Sequence, residues 1–180
     1  MKLVILNLIL FCFTGSSSAS FNTSPSDITI IPQWSVTGYR LNAELNRTAF
    51  YKAMESNDQI LVDAQISELN LAASKLNNAF LGAMIMKKAG IGGNPFYKLY
   101  LFRKGHELLE DAIKADPANI EFRFLRLMIQ ENAPDFLGYN DNEEEDSQYI
   151  RNAYKSLPEI LQKTILAYNR ISKVLKLKVS

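Results

Sequence analysis

Thiols are almost absent from this chain of 180 residues: its one cysteine, Cys12, lies in an apolar segment near the N-terminus. That segment has the order of a secretory signal peptide: a charge at Lys2, apolar runs from Leu3 to Leu6 and Leu8 to Phe13, then small residues from Gly15 to Ser20. An apolar run of about a dozen residues is too short for a membrane-spanning helix, which needs roughly 20. Removal after Ala19 is therefore expected, leaving no stable transmembrane segment and an exported, periplasmic or secreted chain. Phe11, where a lipoprotein needs a small residue before its cysteine, argues against a lipid anchor. Without Cys12 the mature chain has no disulfide, cysteine nucleophile or thiolate metal site, so stability must come from packing.

An excess of charge of one sign is also missing. Lys and Arg number 20 against 19 Asp and Glu, and loss of Lys2 evens them. The balance points away from nucleic acid and acidic surfaces. Along the chain it is uneven, mostly acidic from Glu107 to Asp146 and mostly basic from Arg151 to Lys178, halves that neutralise each other within one domain. Strand signals are limited to Ile28, Thr29, Ile30 and Ile31 before Pro32, inside a Ser-, Thr- and Pro-rich stretch, 20–36, read as a flexible leader.

What remains is helical spacing, and it predicts one helical domain over 37–180. Leu41, Leu45, Ala49 and Ala53 share a face with Phe50 and Met54 from about Gly38 onward. Asn57 and Asp58 offer a cap for a second helix with Ile60, Leu61, Ala64 and Ile66. The third, about Ala72 to Ala89, contains a chargeless stretch from Ala79 to Met86, which makes it the central helix. Gly90 suits its left-handed termination. Asn94 and Pro95 start a fourth helix, with Tyr97, Leu101, Phe102, Gly105, Leu108, Leu109, Ala112 and Ile113 on its buried side. Asp116 and Pro117 read as starting a fifth by the same device. A shorter helix runs through Tyr149, Ile150, Ala153 and Tyr154, and a last one opens with a capping box from Ser156 to Glu159 and runs toward Leu175.

Gly105, Leu109, Ala112 and Pro117 together resemble the second helix of a tetratricopeptide repeat, and the run from Ala112 to Asn119 is similar to the end of such a repeat. Arg123 and Arg126 depart from the pattern, standing where the next repeat would have an aromatic residue and a leucine. The whole chain also resembles uncharacterised short exported bacterial proteins of this helical plan. The resemblance implies an all-α fold of antiparallel helical hairpins packed as a short tetratricopeptide-like bundle, and an envelope location.

No catalytic residue, cofactor or metal ligand is assigned. His106 and Glu110, one turn apart, could share a metal, but no motif supplies a third ligand. The acids from Glu143 to Asp146 lack the turn glycine of a calcium loop and suit the dipole of a helix N-terminus. Gly90, Gly92 and Gly93 follow a helix, so they form no phosphate cradle. On the fifth helix Glu121 falls inside an apolar arc, where it must be paired or face a groove, while Arg123, Arg126 and Gln130 form a narrow polar strip. Phe136 and Tyr139, in a loop, either cap the core or form a recognition edge. Glu121, Arg123, Arg126, Phe136 and Tyr139 are thus the candidate binding residues. The expected function is a non-enzymatic module binding an envelope protein or peptide, with no nucleic acid. The alternative is a small-molecule or lipid carrier whose cavity is lined by Phe80, Met84, Met86, Tyr100 and Phe102. N-terminal sequencing of protein from the envelope fraction should read from near Ser20; an intact Met1 in a soluble cytoplasmic pool would remove the export reading.

Overall fold

Short polar side chains start four of the described helices, as their competition with the backbone dictates. In the computed structural model, which describes residues 45–71 and 75–178, Asn46 caps α1 (Arg47–Glu55) by accepting from the Ala49 N–H at 3.1 Å. Asp58 accepts from the Ile60 N–H at 2.8 Å as α2 (Gln59–Leu71) begins. After α3 (Lys75–Ile91), Asn94 caps α4 (Pro95–Ala115) by accepting from the Tyr97 N–H at 2.9 Å, with Pro95 in the first turn. Asn119 caps α5 (Ile120–Gln130), and α6 (Glu143–Ala153) and α7 (Glu159–Tyr168) follow. Single 3-10 turns occupy Asp135–Leu137 and Tyr154–Ser156. The fold is all-α, with no strand among the described residues. None of the described helices is long and apolar enough to cross a membrane. The chain divides into Met1–Arg40 and Leu41–Ser180, and every described residue belongs to the second unit. The expected signal segment, the leader and the start near Gly38 lie outside the described residues.

Several boundaries differ from those expected, each for a local reason. The helix after α4 is opened by Asn119, because its Oδ1 can accept from two N–H groups, those of Glu121 and Phe122. Asp116 instead ends α4, its N–H donating to Ala112 O, and its carboxylate accepts from Asn119. α3 passes through Gly90 to Ile91, and Gly93, at φ 105°, takes the left-handed conformation. No capping box forms before α7. Ser156 belongs to the preceding 3-10 turn, and its hydroxyl donates back to Ala153 O at 2.7 Å. α7 ends at Tyr168, and a non-helical tail brings Leu175 into the core. On α2 the buried seam is Val62, Gln65 and Leu69, while Ile60 faces outward.

α3 packs against α2, α4 and α5, and so is the central helix that its chargeless stretch implied. Phe80 is fully buried, its ring 5.0 Å from Phe50 of α1 and 6.2 Å from Phe122 of α5, both edge to face. Tyr51, Phe124 and Tyr168 extend this run of rings to α7. Such pairs add about 0.5–1.5 kcal/mol beyond the area they bury.

The α3–α4 hairpin is closest where two glycines meet. A Cβ on Gly105 would lie 2.5 Å from Gly82 O, and one on Gly82 would lie 2.6 Å from Gly105 O and 2.8 Å from Leu109 N. Both positions are therefore closed to any larger residue without moving a backbone. The tetratricopeptide-like residues Gly105, Leu109 and Ala112 all lie buried along α4. Gly105→Leu should lower stability by about 1–3 kcal/mol or more through overpacking. Gly90, by contrast, is helical with open space around its Cα. Gly90→Ala should therefore stabilise by up to about 1 kcal/mol. Urea denaturation midpoints of the two variants check both signs.

Candidate functional site

α5 is buried on every side, from Glu121 through Gln130, so each charge it carries must find a partner inside the fold. Glu121 finds two on α1. Arg47 donates to it from Nε at 2.9 Å and from Nη2 at 2.9 Å, and the Tyr51 hydroxyl donates at 3.0 Å. Burial, then the adjacent Glu121 carboxylate, raises the Tyr51 pKa well above its ordinary value, so this hydroxyl stays a donor. The geometry is an ion pair with a cation and a hydroxyl of another helix, one of the two arrangements that an acid inside an apolar arc permits.

Arg123 and Arg126, expected on a polar strip, are buried, because α6 lays a carboxylate over them. Asp146 is 0% exposed and accepts from Arg126 Nε at 2.7 Å, Arg126 Nη2 at 2.8 Å and Arg123 Nη1 at 2.8 Å. The Arg126 contact is the two-pronged kind that suits a guanidinium to a carboxylate. Arg123 also donates to Pro117 O at 2.8 Å and stacks on the Tyr149 ring at 3.8 Å. Arg126 reaches Glu110 of α4 at 3.0 Å, and Glu110 in turn accepts from the Tyr139 hydroxyl at 2.6 Å. Burial alone would lower the Arg126 pKa, but Asp146 and Glu110 more than offset it and the net shift is upward. Burial and the Glu110 contact raise that of Tyr139.

The five candidate binding residues therefore separate. Glu121, Arg123 and Arg126 lie in internal ion pairs, at two places along α5. Tyr139 covers the edge of the core, its ring 4.7 Å from that of His106 and 5.6 Å from that of Phe102. Phe136 is 86% exposed. His106 stacks beside Phe102, and both Glu110 oxygens are engaged by Tyr139 and Arg126. Among the described residues, no group of three His, Cys, Asp or Glu could hold a metal ion. The chain matches no protein-family model, no curated protein and no solved structure.

Two features were not anticipated from the sequence. Asp146 anchors two arginines, a role signalled by its place on one helical face with Ile150 and Ala153. The first turns of α4 carry an exposed aromatic face, with Phe96, Tyr97, Leu99 and Tyr100 all open to solvent. Tyr97 was expected on the buried side. It lies in the first turn of α4, beside the loop that joins α3 to α4 and two helical turns before the glycine contact at Gly105. Glu121→Ala should cost about 3 kcal/mol by removing the carboxylate that Arg47 and the buried Tyr51 hydroxyl share, and Glu121→Gln less. Asp146→Ala, which takes the fully buried carboxylate from two guanidiniums at once, should cost more than either. Equilibrium unfolding of the three variants tests this order, and a parental midpoint for Glu121→Ala would refute it.

Proposed function

We propose that this chain is a non-enzymatic interaction module, exported to the bacterial envelope, that binds an acidic segment of another protein through the outer face of α4. The carrying observation is the composition of that face. Phe96 is 87% and Tyr100 59% exposed, and at 100° steps they align with Arg103 on the side opposite Leu101, Gly105 and Leu109. Tyr97 and Tyr100 stack at 6.4 Å. Tyr, Phe and Arg are the residues enriched where proteins meet, and contiguous exposed apolar patches are uncommon on monomers.

Charge selects the partner. Residues 69–106 hold six Lys or Arg and no Asp or Glu. Arg103 and Lys104 are exposed and make no ion pair among the described residues. An acidic, amphipathic segment complements both features, its carboxylates meeting the cations that flank the rings. The carrier alternative is less well supported, because its five residues do not face one space. Phe80 and Met84 are fully buried, Phe102 packs on His106 and Tyr139, and Tyr100 points outward. Export rests on the order of residues 1–20, and the non-enzymatic reading on the internal pairing of the buried acids and bases.

Affinity capture from envelope extract, followed by titration of the purified partner, tests the proposal. The double variant Phe96→Ser/Tyr100→Ser should keep the parental melting temperature and weaken the partner by about a hundredfold or more, as for loss of an aromatic hot spot. Arg103→Glu should weaken it and reduce its salt dependence. A partner held equally by parent and variants would overturn the reading, as would preferential binding to phosphatidylglycerol vesicles.

A further inference from the structure

α2 presents an apolar stripe that the described residues leave uncovered. At 100° steps Ile60, Ala64, Ser67 and Leu71 fall within one narrow arc, opposite the inward seam of Val62 and Leu69. All four are exposed, Ile60 at 80% and Leu71 at 89%. Single exposed apolar residues are ordinary, but a stripe repeated over about three helical turns is a face.

The stripe is edged with acid. Residues 53–74 hold four Asp or Glu and no Lys or Arg. Glu68 lies on one flank of the stripe and Asp63 on the other, and Asp58 stands before its N-terminal end. Asp63 is paired with Lys88 at 2.6 Å, whereas the exposed carboxylates of Asp58 and Glu68 make no ion pair among the described residues. The outer face of α4 is the counterpart. Phe96, Leu99 and Tyr100 are exposed there, and the unpaired cations Arg103 and Lys104 follow one turn on. At 1.5 Å per residue the stripe runs about 16 Å along α2, and residues 96–104 run about 12 Å along α4. The two faces thus match in length and apolar character and are opposite in charge. Two α4 faces would set cations against cations, and two α2 faces carboxylates against carboxylates, so pairing of like with like is disfavoured.

We infer that the outer face of α2 docks on the outer face of α4 of a second copy, so that copies join head to tail. Such a contact is heterologous and leaves one face of each kind free at the ends, so association is open-ended unless the rotation closes a ring. Resting on the reading of α4 as a face for acidic, amphipathic segments, this contact adds one such segment from the chain itself, which competes there with the partner. Two helix faces this short bury less than the ~1,200 Å² of stable complexes, so the contact is weak and reversible, with a dissociation constant of about 0.1 mM.

Analytical ultracentrifugation of the full chain without any partner tests the contact. Between about 10 μM and 1 mM the average mass should rise with concentration, and less so at high salt. Ile60→Ser/Leu71→Ser, which removes the α2 stripe, and Phe96→Ser/Tyr100→Ser, which removes the α4 rings, should each stay monomeric and keep the parental melting temperature. Mixed, the two should form a one-to-one dimer that grows no further, because each supplies the face that the other lacks. Asp58→Asn/Glu68→Gln, which keeps side-chain volume and the cap of α2, should weaken self-association about tenfold or more. A monomer at every concentration, self-association retained by either double-serine variant alone, mixed variants that do not pair, or parental association of Asp58→Asn/Glu68→Gln would each overturn the inference. A monomer at every concentration would leave the partner reading of α4 intact. Loss of self-association in Phe96→Ser/Tyr100→Ser with the envelope partner still held would remove that reading and leave the head-to-tail contact standing.

Discussion

Asp146 is a carboxylate with no access to water, lying against two guanidiniums that have almost none, and the arrangement of the second half of the fold follows from that contact. An unpaired charge so deep would cost several kcal/mol, so α5 can be enclosed only if α6 stands where Asp146 reaches Arg123 and Arg126 together. Apolar packing could not fix that placement. Of α6 only Ile150 is a large buried apolar side chain, worth about 1.5–3 kcal/mol. The bidentate contact sets the rotation and register of the helix instead, because a planar fork accepts a carboxylate in few orientations. The same arginines extend the constraint outward, Arg123 to the turn at Pro117 and Arg126 through Glu110 to Tyr139 in the loop before α6.

The first half of the described fold is held in another way. Between α3 and α4 no charge is needed, since two glycines let the backbones approach until Gly82 and Gly105 are in contact. Each glycine costs about 1 kcal/mol of helix propensity. The cost is offset by dispersion contacts that only close approach allows. The two kinds of junction meet in α5, whose Phe122 joins the ring stack from α3 while Glu121 fastens α1 and Arg126 fastens α4 and α6. A helix that contacts so much has no exposed face, and this is why its polar residues are buried along with its apolar ones.

How far the sequence revealed this depended on whether the deciding partner lay on the same helix. Caps are local, so Asn94 and Pro95 were legible, and so was the helical character of each segment from α1 to α7. Gly105 was legible because a glycine in the middle of an apolar seam gives up helix propensity, and close approach of a second helix is what offsets that loss. Glu121 was legible because its neighbours at helical spacing are apolar, which forces pairing whatever the partner. Arg123 and Arg126 were not: on a helical wheel they form a polar strip, and only the arrival of Asp146 from a helix more than a dozen residues on turns that strip inward. The choice of Asn119 over Asp116 was hidden for a similar reason. Both can cap, and the selection depends on which oxygen meets two N–H groups as the chain turns.

The internal pairing also bears on what the protein can recognise. A guanidinium already holding a buried carboxylate in two-pronged geometry offers little to a ligand, since exchange would strand Asp146. On the proposed reading, recognition falls to groups that folding leaves without partners. Around the first turns of α4 these are exposed rings and the cations Arg103 and Lys104. The whole-chain charge of +1 conceals the cations of 69–106, because acids elsewhere in the chain offset them in the sum. At physiological ionic strength charges farther apart than about 8 Å are largely screened from each other. A partner approaching that face would respond to the groups beside it, so near-neutrality of the chain as a whole does not argue against the charge-selective binding proposed there.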